Sequence, residues 1–285
     1  MIDQRNDNTS SVINWYPGHM AKAHRQIREQ LSLVDIIIEL RDARMPLASA
    51  NPMLGELSQN KPVLIILNKA DLADKNKNTA WKEHFDHCLI LDSTADDLSK
   101  IVVREVKNIL KDKIEKAKAR GIRKKVLRAM VVGIPNVGKS TFINNIVKKK
   151  VAKTENRPGV TRKLQWIRIN EDVELLDTPG VLWPKLDDQD KARKLALLGS
   201  INDDVLDKQE LVGYGLHYIV EHYPGLISAR YAIDDNGSDL LQQIALKKNW
   251  LSANVSADMD KTVNMVLKDI RSNKIGRITY EDAGE

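Results

Sequence analysis

The sequence predicts an α/β fold, a mostly parallel sheet followed by a small all-α C-terminal domain. Three observations lead there. The runs Val34-Asp35-Ile36-Ile37-Ile38-Glu39-Leu40, Val63-Leu64-Ile65-Ile66-Leu67 and Ala129-Met130-Val131-Val132 have the length and apolar composition of strands covered on both faces. Helical runs alternate with them, the pattern of a parallel sheet with crossover helices. From Lys191 onward the periodicity is helical throughout, with segments near 191–198, 207–221, 237–249 and 258–273.

The first ten residues are polar, and residues 1–11 read as a disordered tail with no apolar stretch of signal-peptide type. Residues 12–184 make the α/β domain and 185–285 the helical domain. The segment Ala21 to Leu33 reads as a helix, with Ala23, Ile27 and Leu31 recurring at spacing four. After the Val34–Leu40 strand, Arg41-Asp42-Ala43-Arg44-Met45-Pro46 forms a polar loop that Pro46 keeps from becoming helical. A short helix near 53–58, the Val63–Leu67 strand, a helix near 78–86 and a third strand, Cys88-Leu89-Ile90-Leu91, follow. Ser99 to Arg120 reads as one long helix. Strands over 163–169 and 173–176, joined by a short polar turn, predict an antiparallel hairpin. Pro184 to Asp190 reads as a linker, and 274–281 as a short turn with no evident chemistry.

Composition bounds the class. With 285 residues, 42% apolar, and no run near the ~20 residues of a membrane span, the chain reads as an ordinary soluble protein. The one cysteine, Cys88, cannot form an internal disulfide, which fits a reducing, cytoplasmic setting. His84, His87 and Cys88 raise the question of zinc, but without a second ligand cluster they read as helix and strand positions. The net charge is +6, and from Lys111 to Arg128 nine Lys or Arg stand against only Asp112 and Glu115. That run reads either as a solvated helix and linker or as a strip contacting phosphates.

The chemistry centres on Gly133-Ile134-Pro135-Asn136-Val137-Gly138-Lys139-Ser140, which fits G-x-x-x-x-G-K-[ST] at every fixed position between a strand and a helix. Backbone N–H groups of such a loop wrap phosphate at a helix N-terminus. Asn136, Val137, Gly138, Lys139, Ser140 and Thr141 are the phosphate-binding candidates, with Lys139 reaching the outer phosphates and Ser140 holding magnesium. Upstream, Asn68-Lys69-Ala70-Asp71 is an N-K-x-D signature at the end of a buried strand. The Asp71 carboxylate can accept from the guanine N1–H and 2-amino group, neither of which adenine offers. Asn68 braces that loop, and the Lys69 stem lies along the ring. Asp92-Ser93-Thr94-Ala95 falls where GTPases place the loop supporting guanine O6, which makes Ser93 a candidate. Downstream, Thr161 ends a polar loop able to place a hydroxyl on magnesium, and Asp177-Thr178-Pro179-Gly180 is a D-x-x-G motif. There Asp177 would hold magnesium through water and the Gly180 N–H would sense the γ-phosphate. These motifs point to GTP/GDP with Mg2+.

Their order is unusual. The guanine-reading motif and its companion precede the P-loop, and the switch threonine and D-x-x-G come last. Binding depends on arrangement in space, so the reading is a circularly permuted P-loop GTPase domain. Asp71 argues against a metabolic P-loop kinase.

With Trp15-Tyr16-Pro17-Gly18-His19-Met20, Asp42-Ala43-Arg44-Met45-Pro46, N-K-x-D, the P-loop and D-x-x-G in that order, the chain resembles the ribosome biogenesis GTPase A family, the YlqF-type permuted GTPases of bacteria. The resemblance runs from about residue 12 to the end, including Gly276-Arg277-Ile278-Thr279. It implies late assembly of the large (50S) ribosomal subunit, contact with its rRNA, turnover stimulated by the particle, and a helical domain that contacts RNA. No stable homo-oligomer is expected.

Ras-like GTPases position the attacking water with a glutamine after D-x-x-G. This chain has Val181 there, so slow intrinsic turnover is expected. His19 is the internal candidate to orient water or accept a proton, and it matches the family's proposed catalytic histidine. Asn136 is the second candidate: related GTPases with asparagine at this position bind potassium (K+) beside the phosphates. D-x-x-G also lies a short linker ahead of the helical domain, so γ-phosphate contacts at Gly180 would bias how that domain sits. The alternative function is a GTP-dependent RNA-binding placeholder with little turnover.

Overall fold

The computed structural model describes residues 18–52, 54, 58, 61–94, 97–148, 165–180, 188–237 and 239–284. The chain runs α1 (Gly18–Gln30), β1 (Ile36–Asp42), β2 (Val63–Asn68), α2 (Lys75–His84), β3 (Cys88–Ile90), α3 (Leu98–Ile109), α4 (Lys111–Ala119), β4 (Leu127–Gly133), α5 (Lys139–Ile146), β5 (Gln165–Arg168) and β6 (Val173–Asp177). Five helices follow: α6 (Gln189–Leu197), α7 (Lys208–His222), α8 (Leu226–Tyr231), α9 (Leu240–Lys247) and α10 (Met259–Arg271).

The six strands form one sheet in the order β3-β2-β1-β4-β6-β5. All neighbours are parallel except β5 and β6, which pair antiparallel as the hairpin reading requires. Strand β4, which feeds the P-loop, lies between β1 and β6 although three strands precede it in the chain. The motif strands thus share one sheet despite their permuted order. Ile36, Ile37, Ile38 and Leu40 of β1 are all fully buried, as expected of a strand covered on both faces.

Three differences from the sequence reading have physical causes. The long helix over 99–120 is two helices with Leu110 between them at φ −95°, ψ 16°. Hydrogen bonds from Leu110 N to Val106 O and from Ile114 N to Leu110 O cross the junction, so it is a bend that brings buried Leu110 into the core. Helix α8 was missed because six residues carry too little periodicity; Gly225, at φ +87°, starts it directly after Pro224. The 274–281 segment, read as a short turn with no evident chemistry, is largely core: Ile275, Ile278, Thr279, Tyr280 and Glu281 are buried.

The five C-terminal helices join the same apolar cluster as the sheet, which runs from Ile27 to Tyr280. Four are capped by the aspartate preceding them, with Asp188, Asp207, Asp239 and Asp258 accepting backbone N–H bonds at the starts of α6, α7, α9 and α10. His84 sits against Trp81 and Phe85, and burial pushes the Cys88 thiol up to about 11. His84 ends α2 and Cys88 opens β3, while His87 lies in the bend between them rather than on either element.

Candidate nucleotide site

Strand register assembles the motifs at one edge. Asp42 at the end of β1 is level with Asn68 at the end of β2, Leu40 of β1 is level with Gly133 of β4, and Val131 of β4 is level with Asp177 of β6. Ser93 lies just beyond β3. This is the carboxyl end of the parallel strands, where open α/β sheets bind ligands.

The P-loop is braced from the guanine-reading side. Asn68 Nδ2 donates to Val137 O at 2.7 Å, and Asn68 Oδ1 accepts from Ser93 N at 3.0 Å and Ser93 Oγ at 2.5 Å. Asn145 of α5 donates to Ser93 O at 2.5 Å. One asparagine thus ties the base loop, its supporting loop and the phosphate loop together. Close packing makes Gly138 obligatory. Its φ is +95°, and a Cβ there would stand 2.4 Å from Asn68 Nδ2. Lys69, at φ 60°, directs its Nζ to Asn136 O at 2.7 Å and to Asp42 Oδ2 at 3.0 Å. Asp71 is exposed, and its backbone O accepts from Asn273 Nδ2 at 3.4 Å.

Lys139 opens α5 and places its buried Nζ 2.7 Å from Asp177 Oδ1. The groups read as phosphate-binding and magnesium-binding therefore face each other. Ser140 and the half-buried Thr141 occupy the next two positions of α5. Ser140 and Asp177 supply hard oxygen donors, and Mg2+ keeps several waters and phosphate oxygens rather than a full protein cage. The residues fit the ion. Gly180 packs against the P-loop: a Cβ on it would meet Pro135 Cα at 3.2 Å. Thr178 Oγ1 donates to Val131 O at 2.6 Å and pins D-x-x-G to β4.

His19 lies in the first turn of α1, and its side chain is outside the described residues, as are Thr161 and residues 181–187; of the expected 184–190 linker, Asp188 caps α6 and Gln189 and Asp190 already belong to it. The predicted coupling through that linker is therefore not visible, but a second connection is. Asn136 Nδ2 donates to Gly199 O, just past α6, at 2.6 Å. Arg271, ending α10, donates to Ala196 O and Leu197 O and pairs with Asp203 at 2.8 Å. Arg271 O in turn accepts from Arg44 Nη1 at 3.3 Å. Arg44 grips Asp42 through Nε at 2.9 Å and Nη2 at 2.8 Å, and Asp42 holds Lys69. The P-loop, the base loop and the helices are thereby joined in a closed ring of polar contacts.

Burial alone would raise the Asp42 carboxyl, but Arg44 and Lys69 outweigh it and hold the group well below the usual carboxylate range. The tail completes the arrangement. Ile278 N donates to Leu72 O, Asp74 N to Thr279 Oγ1 at 3.0 Å, and Tyr280 N to Arg44 O at 2.7 Å. Glu281 accepts from Leu47 N at 2.6 Å and Ala48 N at 2.9 Å. Sequence reasoning missed Asp42, Arg44, Thr279 and Glu281 as parts of the site's framework. The signals available were the segments that carry the resemblance, Asp42-Ala43-Arg44-Met45-Pro46 and Gly276-Arg277-Ile278-Thr279, which say nothing of these contacts.

The sheet order, the braced phosphate loop and the exposed Asp71 define a circularly permuted P-loop GTPase, an enzyme that binds guanine nucleotide and hydrolyses GTP. A family model described as 50S ribosome-binding GTPase matches residues 128–216. The chain is 42% identical over 277 residues to Ribosome biogenesis GTPase A of Bacillus pumilus, covering 95% of this chain and 98% of that one. It belongs to the ribosome biogenesis GTPase A family. The protein of that name from Thermotoga maritima is 28% identical over 271 residues, 94% of each chain. Among solved structures, GNP-bound YlqF from T. maritima matches with a TM-score of 0.66 at 24% identity, covering 93% of this chain and 99% of that one. A GDP-bound structure of TM YlqF matches at 0.67 and 25% identity, covering 92% and 100%.

Proposed function

We propose that this GTPase acts, as a single chain, in late assembly of the large (50S) ribosomal subunit, binding its rRNA and turning over GTP fastest on the immature particle. The observation that carries this reading is end-to-end similarity to Ribosome biogenesis GTPase A over 95% of the chain, with every nucleotide motif present. Val181 in place of a glutamine supports dependence on the particle, because valine can neither donate to nor accept from an attacking water.

In this reading the N–H groups of Asn136 to Ser140 cradle the phosphates, and Asp71 accepts from the base. Lys139 exchanges Asp177 for the outer phosphates. Magnesium, held by Ser140, Thr161 and, through water, Asp177, would neutralise charge on the phosphate oxygens. Asn136 commits its Nδ2 to Gly199, so its amide oxygen is the atom offered to potassium. His19 orients the water. Residues 185–285 act as the helical domain that senses nucleotide through Asn136 and the Asp42–Arg44–Arg271 contacts, and the protein works in the cytoplasm.

The test is GTP turnover with immature large subunits, mature subunits or none. Stimulation by immature subunits alone is expected, and none by either particle refutes the reading. His19→Ala should lower particle-stimulated turnover at least about tenfold with GTP affinity nearly unchanged. Equal single-turnover rates would exclude His19, and equal turnover in potassium and sodium would exclude the ion. Val181 also favours a second reading, an RNA-binding placeholder that uses GTP only as an affinity switch; turnover that stays slow on every particle would select it.

A further inference from the structure

We infer that RNA phosphates are gripped by the GTPase domain, on a basic and aromatic face formed by α4, the loop after it and the β5–β6 hairpin. The inference rests on the reading above that the chain works on an RNA-containing particle. Charge is divided sharply along the chain. Residues 188–285 hold twelve Lys or Arg against sixteen Asp or Glu, a net of −4, whereas residues 1–187 hold 33 against 23, a net of +10. A polyanion is repelled by the net charge of the helices and attracted by that of the sheet domain, so the phosphate contacts that the resemblance implies for the helical domain are here assigned to the sheet domain instead.

On the sheet domain the charge converges on one place. Lys111, Lys113, Lys116, Lys118 and Arg120 come from α4 and its end, and Arg123, Lys124 and Lys125 from the loop leading into β4. The hairpin is fastened to this loop, to the start of β4 and to α3: Lys124 pairs with Glu171, Leu127 N donates to Asp172 O at 2.8 Å, and Lys107 pairs with Asp172 at 2.5 Å. Beside it, Arg168 of β5 and Arg128 of β4 are both level with Glu174 of β6, and Arg128 lies over the Trp166 ring at 5.1 Å. Ile122 is 47% and Trp166 37% exposed, among the few large apolar side chains at the surface of the described residues.

Internal pairing does not consume this charge. Lys113 and Lys125 both face Asp35, and Lys107, Lys124 and Arg128 have their own partners. Among the described residues Lys111, Lys116, Lys118, Arg120 and Arg123 are exposed and have no ion-pair partner. Unspent cations on α4 and its loop, and an exposed indole on the hairpin fastened to that loop, are what a single-stranded or looped RNA requires: phosphate contacts and a ring on which a base can stack. The face lies toward the amino end of β4 and the nucleotide at its carboxyl end, about 20 Å away for a seven-residue strand. RNA and GTP can therefore be bound together.

The experiment measures binding of a 20-nucleotide single-stranded RNA, and of immature large subunits, against salt. It compares the full chain with Lys116→Gln/Lys118→Gln/Arg120→Gln/Arg123→Gln, with Trp166→Ala, and with the helical-domain set Lys247→Gln/Lys261→Gln/Lys268→Gln/Arg277→Gln. All nine side chains are exposed, and thermal melting reports whether each variant is folded. The basic-face set should lower the slope of log affinity against log salt by about 3, roughly 0.7 per lost phosphate contact, and the affinity at about 0.1 M salt by at least tenfold. Trp166→Ala should weaken binding about 5- to 150-fold with the slope unchanged, while the helical-domain set should change neither. If the helical-domain set removes the slope instead, the inference is overturned while the proposed function stands. If the basic-face set loses the particle but not the oligonucleotide, the face meets an acidic protein and the RNA assignment is overturned. If the unaltered chain binds neither RNA nor particle, both readings fall together.

Discussion

Asp42→Asn is the most informative single change, because Asp42 is a buried charge on which two cations from different parts of the site converge. It is 1% exposed, and Arg44, which grips both of its oxygens, is 3% exposed. Asparagine preserves the shape but removes the charge and one acceptor, leaving the guanidinium buried with only Arg271 O at 3.3 Å as a further acceptor. Breaking a buried pair from one side costs about 3–5 kcal/mol, a large share of the roughly 5–15 kcal/mol that keeps a domain folded. At about 2–3 °C per kcal/mol for a chain of this size, the melting temperature should fall by roughly 6–15 °C.

Lys69 loses one of its two anchors, so GTP affinity should drop about 3- to 10-fold through loss of a single hydrogen bond. Calorimetry and nucleotide titration check both effects. The pH dependence has a definite sign. The folded Asp42 carboxyl lies below its unfolded value, so its contribution is complete above about pH 5 and fades as pH falls through the unfolded value of about 3.9. The gap in melting temperature between wild type and variant should therefore narrow on acidification from pH 5 to 3. Asp42→Leu/Arg44→Met, which removes both charges, should recover at least half of the loss in stability. A fall of less than 2 °C at pH 7, or a gap that widens in acid, would refute the assignment.

Three further outcomes follow from distances in the structure. Glu281→Gln turns an amide N–H toward one of the Leu47 and Ala48 donors and should cost about 1–3 kcal/mol in urea denaturation. Gly138→Ala forces a Cβ to 2.4 Å from Asn68 Nδ2 at positive φ; it should cost at least about 2 kcal/mol and weaken GTP binding at least tenfold. Asp71→Asn replaces an acceptor with a donor facing the guanine amine, so GTP affinity should fall at least about 100-fold. Binding of xanthosine triphosphate, which has a carbonyl at that position, should rise in the same competition assay.

Much of the molecule was legible from local patterns. β1, β2 and β4 were visible as apolar runs, the β5–β6 hairpin from its polar turn, and the P-loop and N-K-x-D loop because their chemistry resides in contiguous residues. Less legible were features whose cause is distant in sequence. The bend at Leu110 answers to the core beneath it. The role of Asp42 requires Lys69 and Arg44 on either side, and that of Arg44 requires Arg271, 227 positions away.

The sequence by itself determined that this chain holds guanine nucleotide on a permuted sheet, because a P-loop and a guanine-reading tetrapeptide carry their geometry within a few bonds. Only the tertiary structure decided how the base loop is held in place. Glu281 fills two backbone donors of the 42–48 loop, Thr279 holds Asp74, and Asn136 reaches Gly199. No spacing rule announces such contacts. They exist because backbone donors and acceptors shielded from water must find partners, and the partners that packing brings within reach are distant in sequence.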